Sequence, residues 1–357
     1  MKVIGIDPGT SSWDIFGYDT NNNEVFADKS IPSAQIIDNP ERIIVEISKF
    51  EPFDFLAAPS GFGIPIKKVQ DLTPEDIFEI TLRKKSSKKV MGLQNLLYKM
   101  QKKSWNALIL PGIKHLPTIP AYRKINKIDM GTADKLCTVV VGIKDIMLRN
   151  QIKCSEVNAI FVELGSAFNS IMAIEKGKII DSIGGSNLFG FRAGGALDGE
   201  LAYLLNIVTK ETIQKGGVLS VVNDPKFTME HLLRESKTKF ITRKALNAYI
   251  EDIVKHVHAI RSIFSPENPP TYILLSGKLA AEPYLQDILE RKLFMLAPLR
   301  IMKNNAKNAK RAAQGAAYIA EGLNDGPSKE VVKNLLIDKA TGHVWDNIFY
   351  DLEIEKN

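Results

Sequence analysis

The chain has 357 residues, of which 45% are hydrophobic and 25% charged, and its formal net charge is +6. This composition is ordinary for a folded globular protein and excludes the fibrous and disordered classes. The length exceeds one hydrophobic core, so we expect two domains. No apolar run approaches the roughly 20 residues of a membrane helix, and Asp7 interrupts the N-terminal run too early for a signal peptide. We therefore expect a cytoplasmic protein without a membrane partner.

The charge balance and the cysteines exclude little. A basic chain suits an anionic ligand and also suits nucleic acid. The densest basic segment is 83–89 (RKKSSKK), which we interpret as a solvated loop rather than a nucleic-acid patch, so nucleic acid is not an expected partner. Cys137 and Cys154 have neither metal-site nor disulfide spacing and are expected in the core.

The first informative stretch is Val3–Ser12, VIGIDPGTSS. Its apolar start predicts a buried strand, which a turn containing Gly9 ends. Two more strand-like runs follow without a helix, so a Walker or Rossmann phosphate loop fits poorly. The alternatives are an ordinary hairpin and a loop whose N–H groups and hydroxyls surround phosphate oxygens while Asp7 holds a hydrated cation. The hydroxyl candidates are Thr10, Ser11 and Ser12.

The elements between the first hairpin and residue 150 are predicted from periodicity and capping residues. Thr73-Pro74-Glu75-Asp76 is typical of a helix start, with Thr73 as the N-cap. An irregular segment over 115–127 precedes a long helix predicted from residue 133 to about residue 150. Helices are further predicted over 39–50 and 92–102, and strands over 53–59 and 105–111. The β-β-β-α-β order is that of an RNase-H-like half.

A second stretch, Asn158–Ser166 (NAIFVELGS), repeats the first design. An apolar run again leads to a carboxylate, a glycine and a hydroxyl, and two strand-like runs again follow. The equivalent residues, at one constant offset, are Asp7 and Glu163, Gly9 and Gly165, and Thr10 and Ser166. Internal repetition of this kind predicts two similar domains.

A glycine-rich segment follows the second hairpin. Residues 184–200 contain six glycines in seventeen positions. Such a segment is costly to order and often approaches a ligand closely, although a merely mobile loop is the alternative. Its candidates for stabilising phosphate and for positioning a substrate or metal are Arg192 and Asp198. A helix is then predicted from Leu201, and a short strand over 216–222.

The last third of the chain alternates helices and strands. A long amphipathic helix is predicted over 242–264, strands over 272–275 and 299–302, and a helix over 310–323. Ser276-Gly277-Lys278 follows the strand over 272–275. Its glycine allows a ligand to lie close to the backbone, and Lys278 is suited to cover that ligand or meet a phosphate. The tail from residue 329 is expected to form a terminal helix on the first half.

Four motifs together resemble one superfamily. VIGIDPGTSS and FVELGS are similar to the two phosphate loops of the actin, heat-shock-70 and sugar-kinase (ASKHA) superfamily. YILLSGKL is similar to its adenosine motif, and KRAAQGAAYIAEGL to its second connecting helix, which includes Gly315 as a further nucleotide-site candidate. Together, DPGTSS and GALDGE resemble the acetate and butyrate kinases and, more closely, archaeal predicted butyrate kinases of the DUF1464 family.

The resemblance implies an α/β protein with two RNase-H-like, actin-like ATPase domains. Each domain has a mixed β-sheet flanked by helices, with a nucleotide cleft between the domains. The implied division is 1–130 plus 310–357 for the first domain and 131–309 for the second. The helix after residue 133 becomes the first connecting helix, which brings Arg123 and Asp134 near the cleft. Arg123 is suited to bind a carboxylate or phosphate, and Asp134 to accept a proton or orient a substrate. A surface charge and a helix-start acid are the ordinary alternatives.

The implied activity is transfer of the γ-phosphate of MgATP to a small acceptor. The acceptor is expected to be a short-chain carboxylic acid held by Arg123 or Arg192, with Asp7 and Glu163 ordering Mg²⁺ through water. The sequence departs from the acid kinases, which have asparagine at the position of Asp7 and a histidine before a glycine run in the second loop. A sugar or polyol acceptor therefore stays open.

Two other classes stay open as well. IGIDPGT also resembles the first catalytic strand of RuvC-type Holliday-junction resolvases, which use paired carboxylates and two metals. An ATP-gated regulatory protein without a small-molecule acceptor would share the nucleotide motifs. The expected partners are the small-molecule acceptor and, as an open alternative, a second copy of the chain in a homodimer.

Overall fold

The computed structural model of the protein describes residues 1–58, 61–83 and 92–351. The chain forms two compact units. Unit 1 comprises Met1–Glu156 and Lys303–Asn357, and unit 2 comprises Val157–Met302. The domain boundaries expected from the sequence are 130/131 and 309/310, whereas the units meet at 156/157 and 302/303. The long helix after residue 133 therefore lies in unit 1.

The strands form two sheets, one in each unit. Their bounds are β1 Lys2–Pro8, β2 Ser12–Asp19, β3 Glu24–Pro32, β4 Phe55–Ala57, β5 Lys67–Lys68, β6 Ala107–Ile109, β7 Ala159–Leu164, β8 Asn169–Glu175, β9 Lys178–Ile183, β10 Tyr272–Ser276 and β11 Leu299–Ile301. Sheet 1 has the order β3-β2-β1-β4-β6-β5, and sheet 2 the order β11-β10-β7-β8-β9. In sheet 1, β1, β2 and β3 are antiparallel neighbours, β4 and β6 run parallel to β1, and β5 is antiparallel to β6. In sheet 2, β7, β8 and β9 are antiparallel neighbours, and β10 and β11 run parallel to β7.

The helices flank these sheets. Their bounds are α1 Ser33–Asp38, α2 Glu41–Ser48, α3 Pro74–Thr81, α4 Gly92–Met100, α5 Ala133–Asn150, α6 Gly199–Leu204, α7 Lys210–Ile213, α8 Val218–Val222, α9 Met229–Glu235, α10 Phe240–Arg261, α11 Pro283–Leu293, α12 Arg311–Leu323 and α13 Lys329–Asn334. Each unit has its own apolar core, in which the sheet packs against the amphipathic faces of its helices. The predicted α/β class with two mixed, helix-flanked sheets is confirmed.

Helix α12 is the central helix of unit 1. Its residues 312–322 are all buried, and they are mostly Ala and Gly. Small residues allow close backbone contact: a Cβ at Gly5 of β1 would lie 2.1 Å from the carbonyl oxygen of Ala313, and one at Gly315 would lie 1.9 Å from that of Cys137 in α5. Helix α12 is therefore packed between sheet 1 and α5, which explains why the contacts assign α5 to unit 1.

Local sequence signals specify several element ends. The Thr73 side chain accepts a hydrogen bond from the N–H of Asp76 and the Asp76 carboxylate accepts one from Thr73 N, so α3 begins with a capping box.

The prediction of a strand over 216–222 is wrong, because Val218–Val222 is a short helix. Gly217 precedes this helix, and its carbonyl accepts a hydrogen bond from the N–H of Val221. Packing in unit 2 thus overrides the strand preference of valine.

The tail of the chain packs on unit 1, as expected. Helix α13 is short, and an irregular segment continues to residue 351. The carboxylate of Glu79, buried in α3, accepts hydrogen bonds from Val344 N at 2.7 Å and from His343 Nδ1 at 2.8 Å. Lys114 Nζ donates to the carbonyl oxygen of Val344.

Two remaining observations concern the basic segment and the possibility of membrane helices. The basic segment 83–89 lies, apart from Arg83, outside the described residues. Among the helices that the structure describes, none combines the length and apolarity that a bilayer crossing requires.

Candidate functional site

The first predicted loop is a tight turn at the end of β1. Gly9 N donates to the carbonyl oxygen of Ser12 at 2.9 Å. Ser33, the first residue of α1, fixes the turn from outside, because its Oγ donates to Gly9 O at 2.8 Å and its N–H to Ser11 O at 3.1 Å. Thr10 and Ser11 are exposed at the tip. The loop thus presents hydroxyls to solvent on a fixed backbone.

Two carboxylates stand opposite each other beside this turn. Asp7 on β1 pairs in register with Asp14 on β2, and both side chains are buried. Like charges at such positions destabilise a sheet. Lys310, which directly precedes α12, compensates them: its Nζ lies 3.0 Å from Asp14 Oδ2 and 3.5 Å from Asp7 Oδ2.

The start of α5 adds a third carboxylate. Asp134 accepts a hydrogen bond from Thr132 Oγ1 and one from Lys135 Nζ at 2.8 Å. Burial opposes ionisation of Asp134, but Lys135, Thr132 and Lys310 outweigh it and hold its pKa below the usual range. Asp134 therefore stays ionised at neutral pH.

Asp7 behaves differently. Burial raises the pKa of Asp7 to about 7. The negative charges of Asp134 and Asp14 also raise it, and the positive charge of Lys310 opposes the shift. Burial alone would lower the pKa of Lys310, but the neighbouring Asp7 and Asp14 raise it. Asp7 at the first loop and Asp134 at the start of α5 thus differ in proton affinity, and both interact with the Lys310 ammonium. Such differences are common where ionisable groups serve a function.

The second predicted loop has the same construction in unit 2. Gly165 N donates to the carbonyl oxygen of Phe168 at 3.0 Å, as Gly9 N does to Ser12. Glu163 takes the place of Asp7, and its register partner on β8 is Ser170. Unit 2 therefore pairs one carboxylate with a hydroxyl where unit 1 pairs two carboxylates. The half-buried Ser166 follows the glycine.

The predicted adenosine motif lies at the same edge of sheet 2. Ser276, the last residue of β10, pairs in register with Glu163. Gly277 has a φ of +89°, and a Cβ there would lie 2.3 Å from the carbonyl oxygen of Leu164. A glycine is required by both the dihedral and the close approach. Lys278 follows and is exposed.

The glycine-rich segment packs against the second loop through its backbone. Arg192 N donates to the carbonyl oxygen of Ala167 at 3.1 Å, and a Cβ at Gly190 would lie 2.4 Å from the same oxygen. The side chain of Arg192 is exposed. Asp198 caps α6 by accepting hydrogen bonds from Glu200 N at 3.0 Å and Leu201 N at 3.1 Å.

Two further candidates, Arg123 and Gly315, have contacts elsewhere in unit 1. The guanidinium of Arg123 lies over the ring of Tyr122, 5.6 Å from its centroid. Gly315 is buried where α12 crosses α5, so its structural role is close helix packing. The sequence candidates thus form two groups: Asp7 and Asp134 with the first loop, and Glu163, Ser276 and Gly277 with the second.

The chemistry of the first group fits a hydrated divalent cation. Hard carboxylate oxygens suit Mg²⁺, which keeps several waters and needs only one or two carboxylates beside phosphate oxygens. Asp14 Oδ1 is buried without a hydrogen-bond partner. Residues 1–58, 61–83 and 92–351 contain no group of three or more potential ligands arranged to hold a bare metal ion. The fit to a hydrated Mg²⁺ rests on the carboxylate oxygens of the first group, Asp14 Oδ1 among them.

Two residues of this group were not identified from the sequence. Asp14 was read only as part of a strand. The available signal was its position: a buried strand with a carboxylate directly across a short turn from Asp7. Lys310 lies some three hundred positions from its partners, and no local pattern links it to them.

Solved structures share this fold. The structure of an acetate kinase from Porphyromonas gingivalis matches with a TM-score of 0.62 at 13% identity, over 88% of this chain and 98% of that one. A propionate kinase from Francisella tularensis matches with a TM-score of 0.60 at 13% identity, over the same shares. An acetate kinase from Entamoeba histolytica matches with 0.59 at 13%, over 83% and 87%. At 13% identity, this likeness concerns the fold, an α/β architecture that the chain shares with these three structures.

The sequence itself defines the family. The family model described as "Protein of unknown function (DUF1464)" matches residues 5–350, and the chain belongs to this family. No curated protein matches the chain significantly.

Proposed function

We propose that the protein is an ATP-dependent phosphotransferase that moves the γ-phosphate of MgATP to a small acceptor, a short-chain carboxylic acid. The observation that carries the proposal is the duplicated hairpin. In each unit a carboxylate, a glycine-closed turn and a hydroxyl stand at the end of the first strand, in equivalent sheets. A single carboxylate loop has many uses, but its repetition in both units supports the binding of nucleotide phosphates.

The residues have distinct roles in this proposal. Asp7 and Glu163 would hold waters of Mg²⁺, which would neutralise charge on the phosphates. The hydroxyls of the loops and their backbone N–H groups bind phosphate oxygens. Gly277 leaves room for the nucleoside. Arg123 or Arg192 binds the acceptor.

The reaction needs little proton transfer if the acceptor is an acid. An acceptor oxygen forms a bond to the γ-phosphorus, the bond from phosphorus to the bridging oxygen breaks, and its electron pair leaves with ADP. A carboxylate is ionised at neutral pH and loses no proton. The lowered pKa of Asp134 makes it a weak base. A carboxylate acceptor needs no base, whereas an alcohol would require a better base than the ionised Asp134.

Nucleotide binding is tested by thermal unfolding with MgADP, MgATP or a four-way DNA junction, each compared with EDTA. We expect stabilisation of about 2.7 kcal/mol by MgADP at a hundred times its Kd. Stabilisation by the junction and not by nucleotide would replace the proposal with a nuclease. Phosphoryl transfer is then measured as ADP release with acetate, propionate, butyrate, glucose and glycerol, and acyl phosphate is trapped with hydroxylamine.

Asp7→Ala provides the matched variant for this assay. We expect at least a hundredfold loss of transfer, because the variant loses a charge that holds the cation at the phosphates. The control is Asp54→Ala, an exposed carboxylate at the other end of the sheet, which should keep its activity. Binding of MgADP without transfer to any acceptor would favour a regulatory protein, and transfer to glucose or glycerol alone would replace the acid.

A further inference from the structure

Lys310 occupies an unusual position for a lysine. Its ammonium lies within 3.5 Å of both Asp7 and Asp14 and donates to the carbonyl oxygen of Ser12 at 3.0 Å. A Cβ at Gly9 would lie 2.1 Å from Nζ, so the glycine of the first loop makes room for this ammonium. Lys310 is therefore built into the loop, although its side chain remains 36% exposed.

The backbone before Lys310 is fixed by a single carboxylate. Asp28 on β3 accepts hydrogen bonds from the N–H groups of Lys307 at 2.6 Å, Asn308 at 3.1 Å and Ala309 at 2.6 Å. This contact and the start of α12 hold the Cα of Lys310 in place. The ammonium, at the end of four methylenes, is the part that is free to move.

The ammonium lies beside Asp7, the carboxylate that the proposed function assigns to a cation. Two opposed buried carboxylates require a positive charge, and either an ammonium or a hydrated divalent cation supplies it. Two such charges at one pair of carboxylates repel each other. Unit 2 has only one carboxylate at the equivalent pair, Glu163 opposite Ser170, and has less need of a compensating cation.

We propose that Lys310 is the resident counter-ion of Asp7 and Asp14 and competes with the divalent cation for this place. This inference rests on the proposed function. The protein without nucleotide then has a low affinity for free Mg²⁺ or Mn²⁺. The cation enters together with the phosphates, whose negative charge offsets the displacement of Lys310. Lys310 is thus a positioning residue that couples metal binding to nucleotide binding.

The test measures Mn²⁺ binding without nucleotide, by electron paramagnetic resonance. We compare the wild type with Lys310→Met, Lys310→Arg and Lys307→Met. Lys310→Met should bind Mn²⁺ at least about tenfold more tightly than the wild type, because the competing charge is gone. Lys310→Arg should stay near the wild type. Lys307→Met changes the net charge equally, three residues away, and should also stay near it. Equal affinities for the wild type and Lys310→Met would overturn the inference.

A second measurement uses the wild-type protein, in case Lys310→Met does not fold. The rate of acetylation of Lys310 is followed by mass spectrometry with and without saturating Mn²⁺, relative to the exposed Lys255. Displacement by the cation should raise the relative rate at least about threefold, and an unchanged rate would contradict competition. The two proposals fail in different ways. If Lys310→Met binds Mn²⁺ more tightly but the protein does not bind MgADP, the role of Lys310 as a counter-ion is supported and the proposed kinase function is contradicted.

Discussion

Asp14 shows at the residue scale what strand register adds to a sequence motif. The carboxylate of Asp7 is recognisable because it precedes a proline and a glycine. Asp14 lies in an apolar strand, where its chemistry depends on facing Asp7 across the hairpin. Asp134 was identifiable as an acid at a helix start, but its neighbours Lys135 and Thr132 acquire meaning only from the fold. Such relations between distant residues are absent from local sequence patterns.

Asp14 should matter for stability apart from any reaction. Asp14→Asn replaces a carboxylate by an amide beside the Lys310 ammonium. We expect the free energy of unfolding to fall by about 2 kcal/mol, because the charge-assisted hydrogen bonds of Asp14 with Ser12 and Lys310 weaken, while Lys310 keeps Asp7 as its partner. Denaturant unfolding monitored by circular dichroism measures this change.

The control for this variant is Asp287→Asn on α11. Asp287 forms an i,i+4 pair with Arg291 at 2.6 Å, but its side chain is 56% exposed. Its loss should cost less than about 0.5 kcal/mol. Similar losses in the two variants would show that the buried position of Asp14 carries no special electrostatic weight.

At the element scale, helices with clear periodicity or caps were predicted well. The bounds Ala133–Asn150 of α5 agree with the sequence prediction. Thr73 and its capping box begin α3 as expected. A strand was wrongly predicted over 216–222 because valines favour strands in isolation. In the structure Val218 is buried in the core of unit 2, and this packing favours a helix. Short elements depend most on packing, so their type is least evident from sequence.

Close packing of α5 and α12 should make Gly315 intolerant of substitution. In Gly315→Ala the new Cβ would lie 1.9 Å from the carbonyl oxygen of Cys137. This atom belongs to the backbone and cannot rotate away. We expect a loss of about 1–3 kcal/mol from overpacking, larger than the gain of about 1 kcal/mol in helix propensity. Thermal and denaturant unfolding test this prediction.

Gly199→Ala is the matched control for helix packing. Gly199 begins α6, and a Cβ there would meet no atom within 4 Å. We expect unchanged or slightly increased stability. If both alanine variants proved equally stable, the tight crossing of α5 and α12 would not be a requirement of the fold.

At the scale of the whole molecule, duplication was the feature that sequence identified best. The constant offset between Asp7 and Glu163 predicted two similar units, and the equivalent strand orders confirm it. The division of the chain was less evident, because α5 belongs with α12 through contacts at Gly315 and Cys137. The tail was assigned to the first half, but its contacts with Glu79 followed no sequence pattern.

The tail should make stability depend on pH through His343. The hydrogen bond with Glu79 raises the pKa of His343, although partial burial opposes this. The folded state therefore binds the proton more tightly than the unfolded state. Its contribution is fully present below the unfolded pKa of about 6.5 and is lost as pH rises through the folded pKa. Because His343 is 58% exposed, we expect less than about 1 kcal/mol.

The comparison uses His343→Gln and the exposed His258→Gln on α10. The wild type and His258→Gln should lose the same amount of stability between pH 6 and pH 8. His343→Gln should lose less over this interval. Thermal unfolding across this interval measures the difference. Parallel curves for all three proteins would rule out His343 as a contributor.

The position of α12 in the chain has a consequence for biosynthesis. The innermost helix of unit 1 begins at Arg311, after all of unit 2 has been made. Unit 2 is one continuous stretch of sequence, so its core can fold first on the ribosome. The strands of sheet 1, although made earlier, cannot yet pack against α12. Until residue 323 emerges, the apolar surface around Gly5 stays uncovered and is a natural binding place for chaperones.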